Sequence, residues 1–142
     1  MSDTGFTHIA LAVRDLDASI AFYEKYAGMR VVHRRDSDDG EGGVVWVSDM
    51  TRPFVIVLVH QPGVVDAPVG PFGHLGVACA SRAEVDRLAD LARDEGCLKK
   101  GPEDHDPPVG YWAFIGDPDG NNLEISYGQD VGLTVEKARK EQ

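Results

Sequence analysis

Three side chains in the sequence have the types and the placement to hold a metal ion: His8, His74 and Glu124. Two imidazoles and one carboxylate that leave coordination positions open form the facial triad suited to Fe(II) or Mn(II), with Zn and Ni as further candidates. The carboxylate is the more telling member. Glu124 sits in "NNLEISY", a strand-like run, and an ionised acid inside a sheet is costly unless it is paired or metal-bound, so Glu124 requires a cation. A single histidine at a strand start usually serves as a hydrogen-bonded core or edge residue. Two of them at matched places in a repeat, joined by such a Glu, point to ligation instead.

The elements that must position these residues form a duplication. "THIALAVRDLDASIAFYEKYAGMRVV" and "GHLGVACASRAEVDRLADLARDEGCLKK" share one order: a His opens a short apolar strand, a polar cap follows, then an amphipathic helix, a Gly and another apolar segment. His8 and His74 take the same place in the two copies. In the second copy Ser81 and Glu84 make a capping-box signature, and Val85, Leu88, Leu91 and Ala92 recur at helical spacing, predicting a helix over about 82–95. In the first, Asp15 or Asp17 caps a helix over about 16–27 whose stripe is Leu16, Ile20, Phe22 or Tyr23, and Ala27, with Gly28 ending it. Three strand-like runs follow each helix: "MRVVHRR", "GVVWVSD" and "PFVIVLVH", then "CLKK", "GYWAFIG" and "NNLEISY". Each half therefore reads as βαβββ.

The fold class expected is α+β, with two tandem βαβββ modules forming a half-open barrel. Module 1 spans about 6–61, a Pro/Gly linker about 62–72, module 2 about 73–128, and the polar tail 129–142 frays or forms a short terminal helix. "DSDDGEGG" reads as a charged hairpin loop and "KKGPEDHDPPVG" as a longer loop; "DPDG" is a turn that aims the last strand. Aligning "NNLEISY" with "PFVIVLVH" sets Glu124 against Val57, give or take one residue. Val57 has no donor atom, so the expected site has three protein ligands.

Composition narrows the function classes. The 142 residues suit one compact domain, and 42% apolar with 27% charged residues is ordinary globular usage. No apolar run approaches the roughly 18–20 residues that span a bilayer, so no membrane partner is expected. A net charge of −10, with "HRR" and "KK" as the basic clusters, argues against a nucleic-acid partner. The N-terminal stretch has no basic region followed by a hydrophobic core and cleavage site, and Cys79 and Cys97 lack metal-type spacing and read as core thiols. A cytoplasmic location is the expectation.

The opening "THIALAVRDLDASIAFYEKYAGMRVV", "GHLGVAC" and "DPDGNNLEI" resemble the vicinal oxygen chelate superfamily over about residues 6–128. That superfamily groups glyoxalase I, extradiol dioxygenases, fosfomycin resistance proteins, methylmalonyl-CoA epimerase and bleomycin resistance proteins. The resemblance implies paired βαβββ modules, a divalent metal chelated by vicinal oxygens of a small-molecule substrate, and a homodimer. Carried over by position, it makes His8, His74 and Glu124 the metal ligands. It does not fix the reaction, because members share a scaffold and differ in chemistry.

Departures from the family patterns rank the reactions. Glyoxalase I and the epimerase usually place a fourth ligand where this chain has Val57, which counts against both. Extradiol dioxygenases use three ligands, and His105 fits their upstream His, but the place of their Tyr falls on Phe114, which cannot donate a proton. Tyr111 is the alternative donor, although its odd spacing from Phe114 sets the two on opposite strand faces. The fosfomycin reading shares the triad but lacks a cationic cluster for a phosphonate, and the bleomycin-binding class generally lacks metal ligands. The expectation is a metal-dependent enzyme, with an extradiol-like dioxygenase slightly ahead of a glyoxalase-type lyase or a fosfomycin-type thiol transferase. A non-catalytic binding or resistance protein is the alternative from another class. His105 and Tyr111 are the candidate catalytic groups. Trp46, Val57, Trp112, Phe114 and Tyr127 are candidates for the substrate pocket, with core roles open for the aromatics and a core or interface role open for Tyr127.

Overall fold

A computed structural model of the chain describes residues 3–39, 42–63, 69–70 and 72–141. The elements run β1 (His8–Val13), α1 (Leu16–Ala27), β2 (Arg30–Asp36), β3 (Gly43–Ser48), β4 (Val55–His60), β5 (His74–Ala78), α2 (Arg82–Asp94), β6 (Leu98–His105), β7 (Gly110–Gly116), β8 (Asn122–Tyr127) and α3 (Val131–Lys140). They form two four-stranded mixed sheets with the orders β1-β4-β3-β2 and β5-β8-β7-β6, so the chain is α+β with tandem βαβββ modules. It divides into two compact units, Met1–Phe72 with Asp117–Asn121, and Gly73–Gly116 with Asn122–Gln142. No helix among the described residues is long and apolar enough to cross a membrane.

In the first unit, Asp15 caps α1: its side chain accepts from the Ala18 N–H at 3.0 Å, and Gly28, at φ 61°, ends the helix. β1 lies parallel to β4, with His8 against Val55 and Ala10 against Val57. Strand alternation then sorts the faces. Leu11, Val13, Val45, Val47, Ile56 and Leu58 are buried, as are Leu16, Phe22, Tyr23 and Tyr26 of α1, which contacts β2, β3 and β4. His8, Ala10, Trp46 and Val57 fall on the other face.

The unit also contains the turn 117–121. Asp117 accepts from the N–H groups of Asp119 and Asn121 at 2.9 and 2.8 Å, and from the Tyr23 hydroxyl at 2.8 Å. Asp119 accepts from the Arg14 N–H at 3.0 Å and the Ser19 hydroxyl at 3.4 Å. Two buried carboxylates are thus satisfied by the turn itself, by Arg14 and by α1. The "DPDG" turn does more than shape itself, because it clasps the helix.

In the second unit, Ser81 caps α2 by accepting from the Glu84 N–H at 3.1 Å. β5 lies parallel to β8, with His74 against Asn122 and Gly76 against Glu124. Val85, Leu88, Ala89 and Ala92 of α2 are buried, and so are Ala113, Ile115, Leu123 and Ile125 on one sheet face. Glu124, Phe114 and Trp112 occupy the opposite face, since Phe114 pairs with Glu124 and Trp112 with Ser126.

Two expectations change, and one left open is decided. The segment read as the loop "KKGPEDHDPPVG" carries β6 on to His105, so His105 ends a strand. Its Pro102 lies where the register shifts between Lys100 and Glu103, an irregularity that tolerates a residue without an N–H. Of the two outcomes expected for the tail, fraying or a short terminal helix, the second is found: it is helical over Val131–Lys140, with no buried residue. Cys79 and Cys97 form no disulfide and are half-buried rather than fully in the core. Parts of the 62–72 linker and of the "DSDDGEGG" loop lie outside the described residues.

Candidate functional site

Sheet register supplies the first fact about the site. His8 opens β1 and His74 opens β5, and two residues on, Ala10 pairs with Val57 as Gly76 pairs with Glu124. The histidines are therefore equivalent, and so are Val57 and Glu124. The same counting makes Trp46, opposite Val57, the counterpart of Phe114, opposite Glu124.

The second unit brings two of the three proposed ligands together. His74 Nε2 stands 3.5 Å from Glu124 Oε2, and the Glu124 side chain is only 12% exposed. Its other oxygen, Oε1, accepts from the Gln129 amide at 3.1 Å. Gly76 lies against the carboxylate, a Cβ there standing 3.7 Å from Oε2, an ordinary van der Waals contact. Two donors that each bind one ion at about 2.1 Å stand roughly 3.0–3.4 Å apart in octahedral or tetrahedral geometry, so this pair suits a divalent metal. His8 belongs to the first unit, exposed, with Nδ1 2.9 Å from the Thr7 hydroxyl. Among the described residues no group of three His, Cys, Asp or Glu side chains is gathered as a metal site.

Around the pair runs an aromatic ladder. The His74 and Phe114 rings are 5.0 Å apart, Phe114 and Trp112 are 5.0 Å apart, and His105 stacks on Trp112 at 5.9 Å. Lys100 places Nζ 5.4 Å from the centre of the Trp112 ring, and Glu103 lies 3.7 Å from both Lys100 and His105. His105, Trp112 and Phe114 are thus on the face that carries Glu124. Tyr111 and Tyr127 are not: they pair with each other one residue out of phase, on the α2 side. The Tyr111 hydroxyl donates to Asp86 of α2, with the Arg82 guanidinium 4.1 Å over its ring. That hydrogen bond, with burial and the Asp86 charge, pushes the Tyr111 phenol above its ordinary range.

The first unit contributes a cleft of about 610 Å³ lined by His8, Val32, Trp46, Phe54, Val55 and Val57, with Thr7, Ser48 and Arg52 among its polar members. Trp46 is 41% exposed there, so it lines open space instead of filling the core. Gln129 had no sequence signal: an amide five residues beyond Glu124 belongs to no motif, and only the turn after β8 brings it back.

Residues 5–125 match the model of the Glyoxalase/Bleomycin resistance protein/Dioxygenase superfamily. The uncharacterized protein PA2024 of Pseudomonas aeruginosa is 44% identical over 134 residues, covering 93% of this chain and 94% of that one. The lactoylglutathione lyase of Salmonella typhimurium is 29% identical over 133 residues, covering 88% and 93%. Among solved structures, the trypanothione-dependent glyoxalase I of Leishmania major superposes with a TM-score of 0.68 at 25% identity, covering 99% and 98%. A mutant of the Listeria monocytogenes fosfomycin resistance protein FosX, complexed with Mn(II), superposes at 0.71 and 17% identity over 94% and 99%, which is a likeness of fold.

Proposed function

The chain belongs to the Glyoxalase/Bleomycin resistance protein/Dioxygenase superfamily, and on that footing we propose a divalent-metal lyase of the glyoxalase type, with His8, His74 and Glu124 as the ligands. The carrying observation is the 3.5 Å approach of His74 Nε2 to Glu124 Oε2, with the Phe114 ring beside His74. The extradiol preference drawn from the sequence gives way, because the relative from Salmonella typhimurium is named a lactoylglutathione lyase and one from Synechocystis a probable lactoylglutathione lyase.

A bound divalent ion, Mn(II) or Fe(II) with Zn or Ni as alternatives, supplies Lewis-acid polarisation of adjacent substrate oxygens. The chain's own side chains do the rest. Trp46, Val55 and Val57 take the apolar part of the substrate out of water. Phe114 and Trp112 keep the surroundings of Glu124 dry. Val57 stands where a second carboxylate would serve as base. The proton-moving candidate on the Glu124 face is His105, stacked on Trp112 with its Nε2 3.7 Å from Glu103. It would act on a substrate long enough to extend along the Phe114 and Trp112 rings.

The test is turnover of lactoylglutathione, in both directions, by protein loaded in turn with Mn(II), Fe(II), Ni(II) and Zn(II). Metal-dependent turnover that disappears in Glu124→Ala supports the lyase. Metal uptake with substrate binding but no turnover supports a sequestering protein instead. The homodimer that the resemblance implies is checked by light scattering on the same preparation.

A further inference from the structure

We infer that Gln129 is a positioning residue for Glu124, holding Oε1 so that Oε2 is the oxygen presented beside His74. This rests on the reading of His74 and Glu124 as metal ligands. The Gln129 amide nitrogen donates to Glu124 Oε1 at 3.1 Å and to the Val109 carbonyl at 3.0 Å. One NH₂ group therefore spends both protons on fixed acceptors, tying the carboxylate to the loop that precedes β7. Glu124 Oε2 is left 3.5 Å from His74 Nε2. The carboxylate is thereby presented through one oxygen rather than two.

The backbone is shaped to deliver this amide. Past β8 the chain turns through Gly128 at φ 93° and Asp130 at φ 53°, both in the left-handed region. It also passes tightly over Gly110, where a Cβ would lie 2.6 Å from the Tyr127 carbonyl oxygen and 3.4 Å from the Gln129 nitrogen. A side chain at 110 would push the segment off the loop. The duplication gives independent support. Val57 is the register counterpart of Glu124, and five residues beyond it stands Pro62, which has no side-chain donor, where the second module has Gln129. The carboxylate and its holder occur together in one module and are both missing from the other. Partners that orient a ligating carboxylate are typically worth about 10–100-fold in metal affinity.

Mn(II) affinity, measured by calorimetry on metal-free protein, tests this together with thermal unfolding of the same samples. Gln129→Met keeps the shape and removes the donor, so its Mn(II) affinity should fall at least tenfold while the metal-free protein stays folded. Gln129→Glu, which sets a second negative charge against Oε1, should not restore the native value. Glu124→Ala separates the two claims. If it binds Mn(II) like the native chain, the ligand reading fails. If it loses Mn(II) while Gln129→Met binds within twofold of native, the ligand reading stands and the role of Gln129 is overturned. Lower thermal stability with unchanged affinity in Gln129→Met would likewise overturn it, because the amide would then serve only the turn.

Discussion

Val57 and Glu124 hold the same register position in their two sheets: Val57 pairs with Ala10, two residues after His8, and Glu124 with Gly76, two residues after His74. One position is a branched alkyl group at the wall of a cleft, and the other is a buried carboxylate beside an imidazole. This asymmetry is what departs most from a glyoxalase-type lyase.

Val57→Glu should restore a carboxylate at the place of the absent base. General-base catalysis contributes typically about 10²–10⁴-fold, and an unoptimised base should recover roughly the lower end of that range in kcat. The half-buried position lets the new acid reach water, so the variant should fold. Steady-state kinetics with lactoylglutathione checks it; an unchanged kcat would assign proton transfer wholly elsewhere.

Trp46 is exposed in the cleft and offers a substrate a large apolar ring. Trp46→Ala should raise KM several-fold with kcat nearly unchanged, the signature of binding felt equally in ground and transition states. Equal loss in kcat would show instead that the ring orients the reacting groups.

Tyr111 donates to Asp86 on the α2 side of the sheet, away from Glu124. Tyr111→Phe should therefore leave kcat and KM within about twofold, whereas His105→Gln, which alters the ladder on the Glu124 face, should lower kcat by about 10²-fold. Side-by-side kinetics of the two variants decides between the two residues.

Tyr23 donates to Asp117 at 2.8 Å inside the clasp of the 117–121 turn. Tyr23→Phe leaves a buried carboxylate short of one donor and should cost about 1–3 kcal/mol in denaturant unfolding. Burial, followed by the Asp117 charge and hydrogen bond, raises the phenol well above its ordinary 10.0. The folded chain therefore keeps a proton that the unfolded chain releases above that value. This stability contribution is complete below pH 10.0 and lost as pH rises beyond it. Unfolding curves at rising alkaline pH should lose stability in the native chain, and less steeply in Tyr23→Phe.

Much of this was legible in the residues. The duplication announced itself through His8 and His74, two caps and two stripes of helical period, and register then set Glu124 against Val57. What stayed hidden depends on contacts between distant segments. Gly101 and Pro102 punctuated "KKGPEDH" as a loop, although a strand irregularity accommodates both. Asp117 and Asp119 read as local turn formers, because nothing near them in sequence signals that Tyr23, Ser19 and Arg14 supply their donors. Gln129 carries no pattern at all, since its role comes from a turn that folds back over Gly110.

The most direct measurement is the metal content of protein purified without chelator, native beside His8→Ala, His74→Ala and Glu124→Ala. The native chain should carry close to one divalent ion per chain, and each variant should lose most of it while keeping its fold by circular dichroism. A native chain that takes up no Fe, Mn, Ni or Zn, or a Glu124→Ala variant that keeps the full amount, would contradict the account.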